Sequence, residues 1–186
     1  MIVDVPIDHT MTKNQVSYYE QIAARESSKE PIANCILKVS KTLNIHANYL
    51  YSISIAEGGQ TGKYSKNADG THDMGVMQIN YERWATELPR IGYSISPSYW
   101  RKILKNTCSN ILVGGIIYRH RAKPTKDAFT AMANYHWYSS VDNKAPHIRY
   151  KSRISRIYNA IIEDQKSFEK TGKVDERLRC KYAYCD

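Results

Sequence analysis

The chain has 186 residues, 42% hydrophobic and 24% charged, which suits one domain with its own core and excludes a low-complexity polymer or a disordered tail. Its formal net charge of +9, from 27 Lys and Arg against 18 Asp and Glu, favours a polyanionic partner such as nucleic acid, anionic lipid or bacterial cell wall. No zinc-finger spacing, RNP-type motif or dense basic block points to nucleic acid. The apolar runs fall far short of the ~20 residues that span a bilayer, so no integral membrane segment is expected.

Met1-Ile2-Val3-Asp4-Val5-Pro6 lacks the basic start and apolar stretch of a signal peptide. The expectation is a mature form with a replacement Met1, another export route, or a chain that stays inside. Residues 1–12 read as an irregular leader. Thr12-Lys13-Asn14-Gln15 resembles a capping box, and Val16, Tyr19, Ile22 and Ala23 follow at helical spacing. After a charged break at 25–30, Pro31 suits a first helical turn, with Ile32, Cys35, Ile36 and Val39 on one face.

From Ala47 to Ala56 there is no charge, so this segment reads as a buried helix. It ends in Glu57 followed by Gly58-Gly59, the punctuation of a helix C-terminus. Residues 60–73, with Asn67-Ala68-Asp69-Gly70-Thr71, read as a loop or short hairpin. Helical patterns resume over roughly 80–88, 97–105, 108–121, 125–137 and 147–166. The residues from Gln165 onward read as a charged tail carrying Cys180 and Cys185. The fold class is mainly α, with one small β-hairpin or irregular insert beside the buried helix.

Glu57 reads in two ways. At the edge of a core and at the negative end of a helix dipole, its anion is disfavoured, as a general acid requires. Alternatively, it points into water from a frayed helix end. Asp69 and Asp73 also divide. Each can serve as a second carboxylate beside the acid, supporting attack by water. Asp69 otherwise belongs to an Asp-Gly turn, and Asp73 otherwise ties down the loop by accepting backbone N–H groups. Trp84 and Trp100 read as core, while Tyr93 and Trp137 read as core or groove wall. Gly114-Gly115, inside a helical pattern, suggests close helix packing. The six His residues show no zinc-type pairing, so no metal is expected. The 15 Tyr, against 2 Phe and 3 Trp, suit a carbohydrate groove or half-wet helix packing equally well.

The ordered set of a buried helix ending in Glu57-Gly58, then Asn67-x-Asp69-Gly70-Thr71-x-Asp73-x-Gly75-x-Met77-Gln78-Ile79-Asn80, Trp84, Leu88, Cys108-Ser109-Asn110-Ile111, Gly114 and Asn134-Tyr135-His136 resembles the lysozyme-like lytic transglycosylases of bacterial cell walls (the SLT domain). It is most similar to their secretion- and conjugation-associated branch, over about Cys35 to Tyr158. The resemblance implies a lysozyme-like domain at 31–162, an N-terminal extension with one helix at 1–30 and a charged C-terminal tail at 163–186. It implies Glu57 as catalytic acid, with Gly75, Met77, Gln78, Ile79, Asn80, Tyr135 and His136 binding the glycan. The Tyr135 hydroxyl is expected close to the catalytic carboxyl.

The implied substrate is the bond between N-acetylmuramic acid and N-acetylglucosamine, with 1,6-anhydro ends as products and no cofactor. The implied setting is periplasmic or extracellular. The implied partners are peptidoglycan glycan strands and components of a secretion or conjugation apparatus. A disulfide between Cys35 and Cys108 is implied too, and Cys180 with Cys185 can close a small loop. Three features depart from the pattern, the missing signal sequence among them. Gly58 stands where the family commonly has Ser, and Tyr135-His136-Trp137 replaces the usual Tyr-Asn third motif. A goose-type muramidase is the alternative enzyme, and a wall-binding protein that has lost turnover is the alternative from another class.

Overall fold

In the computed structural model, residues 5–136, 145–175 and 177–182 are described. Helix α1, Lys13–Arg25, starts at the predicted capping box: Thr12 Oγ1 accepts the Gln15 N–H, and the Gln15 side chain accepts the Thr12 N–H. Pro31 stands just before α2, Ile32–Leu43. The charged break between the two helices has a structural purpose. The Glu26 carboxylate turns onto the N-terminus of α2 and accepts the N–H groups of Ile32 and Ala33.

Helix α3, Ala47–Glu57, is buried at every position from Ala47 to Ala56, as an uncharged helix must be. Its buried amide, Asn48, is satisfied inside the core. Asn48 Oδ1 accepts the Tyr19 hydroxyl at 2.7 Å from α1 and the Gln165 amide at 2.8 Å. Gln165 belongs to the long helix α8, Ala145–Thr171, so one buried amide pair binds three helices. At the other end of α3 the chain turns through Gly58 at φ 65°, a left-handed cap that only glycine adopts without strain.

The insert is a three-stranded antiparallel sheet in the order β1-β2-β3, formed by Tyr64–Lys66, His72–Met74 and Ile79–Asn80. Ser65 pairs with Asp73, and Asp73 in turn with Asn80. Helices α4, Tyr81–Arg90, and α5, Pro97–Lys105, follow it, then α6, Thr107–Ala122, and α7, Ala128–His136. The mainly α fold with a small β insert is therefore observed. Trp84 and Trp100 lie in the core as expected, whereas Tyr93 is exposed. Gly114 and Gly115 do serve close packing: an added Cβ would come within 2.8 Å of Met77 Cε and 2.7 Å of Leu43 Cδ1, respectively.

Residues from Gln165 onward differ from a solvated tail. Helix α8 continues to Thr171, Val174 and Leu178 are buried, and a short α9, Leu178–Tyr182, packs against α3 and α8. Their charged neighbours hide this in the sequence, because one apolar residue every four is enough to dock a short segment. The leader is likewise anchored: Val5 and Ile7 exchange backbone hydrogen bonds with Lys126 and Ala128.

The disulfide joins Cys35 of α2 to Cys108 of α6, with the Cα atoms 4.7 Å apart. Cys180 is also disulfide-bonded, and Cys185 lies outside the described residues. Among the described residues no helix is long and apolar enough to cross a membrane.

Candidate active site

Burial of α3 delivers its one charged residue to the protein's surface edge. The Glu57 side chain is only 10% exposed. Its Oε1 accepts the Tyr150 hydroxyl at 2.6 Å and lies 3.5 Å from His136 Nδ1. The His136 and Tyr150 rings stack face to face, 4.4 Å apart and 5° from parallel. One carboxyl oxygen is thus held from α8 and from the end of α7 by two rings that also hold each other.

The electrostatics follow from this packing. Burial, reinforced by the Glu57 charge, raises the Tyr150 pKa well above its ordinary value, so the hydroxyl stays a donor. The hydrogen bond to Glu57 raises His136, against the opposing effect of burial. Glu57 therefore favours the imidazolium form of His136.

The loop over 75–80 packs against Gly59, two residues past Glu57. Gly75 takes φ 70°, and a Cβ there would sit 2.3 Å from the Asn110 amide. Asn110 is the pin of this loop: it donates to Met74 O and Leu104 O and accepts the Met77 N–H at 2.8 Å. Gln78 takes a left-handed φ of 43°, unusual for a side chain with a Cβ. Its amide bonds Gly75 O at 2.9 Å, and its Oε1 accepts the Ser65 hydroxyl at 3.0 Å. Together these hold the half-buried Gln78 at the hairpin. Met77 and Ile79 are fully buried, so they support the loop from beneath. Asn80 caps α4 through the Arg83 N–H and donates to Thr71.

Tyr135 lies within electrostatic range of the Glu57 carboxyl. Its hydroxyl donates to Met77 O at 2.7 Å, and the hydroxyl on Glu57 is that of Tyr150. Both tyrosines are buried, and each hydroxyl takes a different acceptor. Tyr150 was not singled out in the sequence, where it stands in the basic run Ile148-Arg149-Tyr150-Lys151. A tyrosine on the buried side of a basic helix was the one signal there. Arg121 was missed as well. It is buried, donates to the carbonyls of Asn134 and Tyr135, and lies 4.9 Å from the Trp84 ring centre. Desolvation lowers its pKa to about 10. It closes the C-terminal end of α7 beneath the site.

Asp73 lies in β2 and feels the charge of Glu57. Burial raises its pKa above the ordinary carboxylate value, against hydrogen bonds from the side chains of Asn67 and Asn80. Its partners are thus side-chain amides, where backbone N–H groups were expected. Asp69 is exposed at the hairpin tip, where its Oδ1 accepts the N–H and hydroxyl of Thr71 at 3.0 and 2.7 Å. That is the Asp-Gly turn. Trp137 lies outside the described residues. Among the described residues, no three His, Cys, Asp or Glu side chains gather as a metal site.

No family model matches the chain. It is 28% identical over 132 residues to the invasion protein IagB of Salmonella typhi, covering 70% of this chain and 79% of that protein. It is also 28% identical over 130 residues to the invasion protein IagB of Salmonella typhimurium (strain SL1344), covering 69% of this chain and 78% of the relative.

Proposed function

We propose that the chain is a peptidoglycan lytic transglycosylase that cleaves the β-1,4 bond between N-acetylmuramic acid and N-acetylglucosamine. The observation that carries this reading is the Glu57 carboxyl, nearly enclosed yet at the lip of the sheet, with one oxygen fixed by the Tyr150 hydroxyl at 2.6 Å. Protonated Glu57 donates to the bridging oxygen, the bond from C1 of the muramic ring breaks, and an oxocarbenium-like state forms. The carboxylate left behind is then met by the Tyr150 hydroxyl and the His136 imidazolium. The 6-hydroxyl of the same sugar attacks C1 and gives its proton to Glu57. This restores the acid and leaves a 1,6-anhydro end.

The catalytic unit in this reading is residues 31–162, with Gly75, Gln78, Asn80, Tyr135 and His136 shaping the groove. The similarity to an invasion protein supports a role in local wall opening for an envelope-spanning secretion or conjugation apparatus. The Cys35–Cys108 disulfide supports a periplasmic or extracellular setting.

Asp73 favours a second reading, hydrolysis in the manner of a goose-type muramidase. It is a half-buried carboxyl within electrostatic range of Glu57 and of raised basicity. Mass spectrometry of fragments released from purified sacculi tests both. Anhydro ends are expected; reducing ends alone would replace the transglycosylase with the hydrolase. Glu57→Gln is expected to abolish release while folding normally, and near-native release by that variant would remove Glu57 from the mechanism.

A further inference from the structure

Strand β2 has two faces. Asp73 is on the face that senses Glu57. By strand alternation, His72 and Met74 project from the opposite face. There the hairpin, α4 and α5 border a small open depression of about 120 Å³, lined by Tyr64, His72, Met74, Tyr81, Arg101 and Lys105.

Its walls are built in advance. Trp100 stacks on Tyr81 at 6.2 Å and donates its indole N–H to Tyr81 O at 2.9 Å. The Arg101 guanidinium lies 5.6 Å from the centre of the same Tyr81 ring. Tyr64 meets His72 edge to face at 5.8 Å. Glu82 accepts both the backbone N–H of His72 and a contact from its Nδ1, each at 2.8 Å. The nearby carboxylate is thereby committed to His72, and neither Arg101 nor Lys105 pairs with a carboxylate of the described residues. The depression offers two exposed cations, two tyrosine rings and a buried Met74 floor.

We propose that this depression is a subsite for the stem peptide of the wall polymer, a short peptide with free carboxylates and small apolar side chains. The proposal rests on the peptidoglycan reading above. The glycan itself offers little charge to two cations, whereas the stem carries several carboxylates. Strand β1 is a sheet edge, all three of its residues are exposed, and its Tyr64 is part of the pocket. A stem of four residues spans up to about 14 Å when extended, at roughly 3.5 Å per residue. Turning one edge strand takes about 5 Å per strand crossed.

The test is isothermal titration calorimetry of the full chain with the sugar-free tetrapeptide stem. The Arg101→Gln, Lys105→Gln double variant serves as comparison, its fold checked by circular dichroism. Wild type is expected to bind, with affinity at least tenfold weaker in the double variant and also weaker in Tyr64→Ala. Absence of binding by wild type, or equal binding by the double variant, overturns the subsite. Displacement of the peptide by equimolar inorganic phosphate also overturns it, since any anion would then serve. The fragments released from sacculi decide the proposed function separately: anhydro release without peptide binding removes the subsite alone, and peptide binding without any release removes the enzyme and keeps the subsite.

Discussion

Around Glu57, Tyr150 and His136 act on one oxygen, while Tyr135 acts on the loop over 75–80. This separation makes the two tyrosines distinguishable. Tyr150→Phe keeps the ring and its stack with His136 but removes the hydroxyl from the acid. Turnover is expected to fall on the order of 10- to 1,000-fold, as when a transition-state hydrogen bond is lost, with melting little changed. Tyr135→Phe instead leaves Met77 O without its donor and is expected to cost about 1 kcal/mol of stability. Equal kinetics for Tyr150→Phe and wild type would take the hydroxyl out of the mechanism. His136 gives a pH signature. Its folded pKa is raised by Glu57, so its contribution to stability is complete below about 6.5, the ordinary value, and fades as pH rises through the higher folded value. The melting-temperature gap between wild type and His136→Asn is therefore expected to narrow as pH rises; a gap independent of pH would refute the pairing. Of these groups, Glu57 was legible because an uncharged helix that ends in one carboxylate is a local pattern. Tyr150 was not, since it meets the acid only through the docking of another helix.

Secondary-structure elements were read best where capping chemistry is local. Thr12 and Gln15 start α1, and Gly58 ends α3, because a side-chain acceptor and a left-handed glycine act within one turn. The hairpin was read as a loop or hairpin, but the third strand was missed because two residues, Ile79 and Asn80, carry no alternation to detect. The short α9 was hidden in the same way. One contact between elements is especially exacting. Gly59, just past α3, lies against the 75–78 turn so closely that a Cβ would fall 2.0 Å from Gly75 O and 2.7 Å from Gln78 Nε2. Backbone cannot yield as a flexible side chain can. Gly59→Ala is expected to destabilise the protein by about 1–3 kcal/mol and to displace Gln78. Thermal melts check the first, and loss of cleavage beyond what the melting shift accounts for checks the second.

At the scale of the whole molecule, the disulfide spans 73 residues and binds two helices that already pack together, α2 and α6. Closing a loop of that length in the unfolded chain corresponds to about 4 kcal/mol in the chain-entropy description. Reduction, or Cys35→Ala with Cys108→Ala, is expected to lower unfolding free energy by about that amount in denaturant titrations; an unchanged midpoint would show the loop to be constrained by other means. The pairing was legible only through resemblance, since cysteine spacing alone does not say which partner each takes. Order along the chain has a further consequence. The hydroxyl that holds Glu57 belongs to a residue 93 positions later. A ribosome that has finished Glu57 has still to make the helix that completes its setting, and every chain stopped before residue 150 lacks the hydroxyl that holds it. Under the proposed function, the order of synthesis then acts as an interlock: the blade is assembled last.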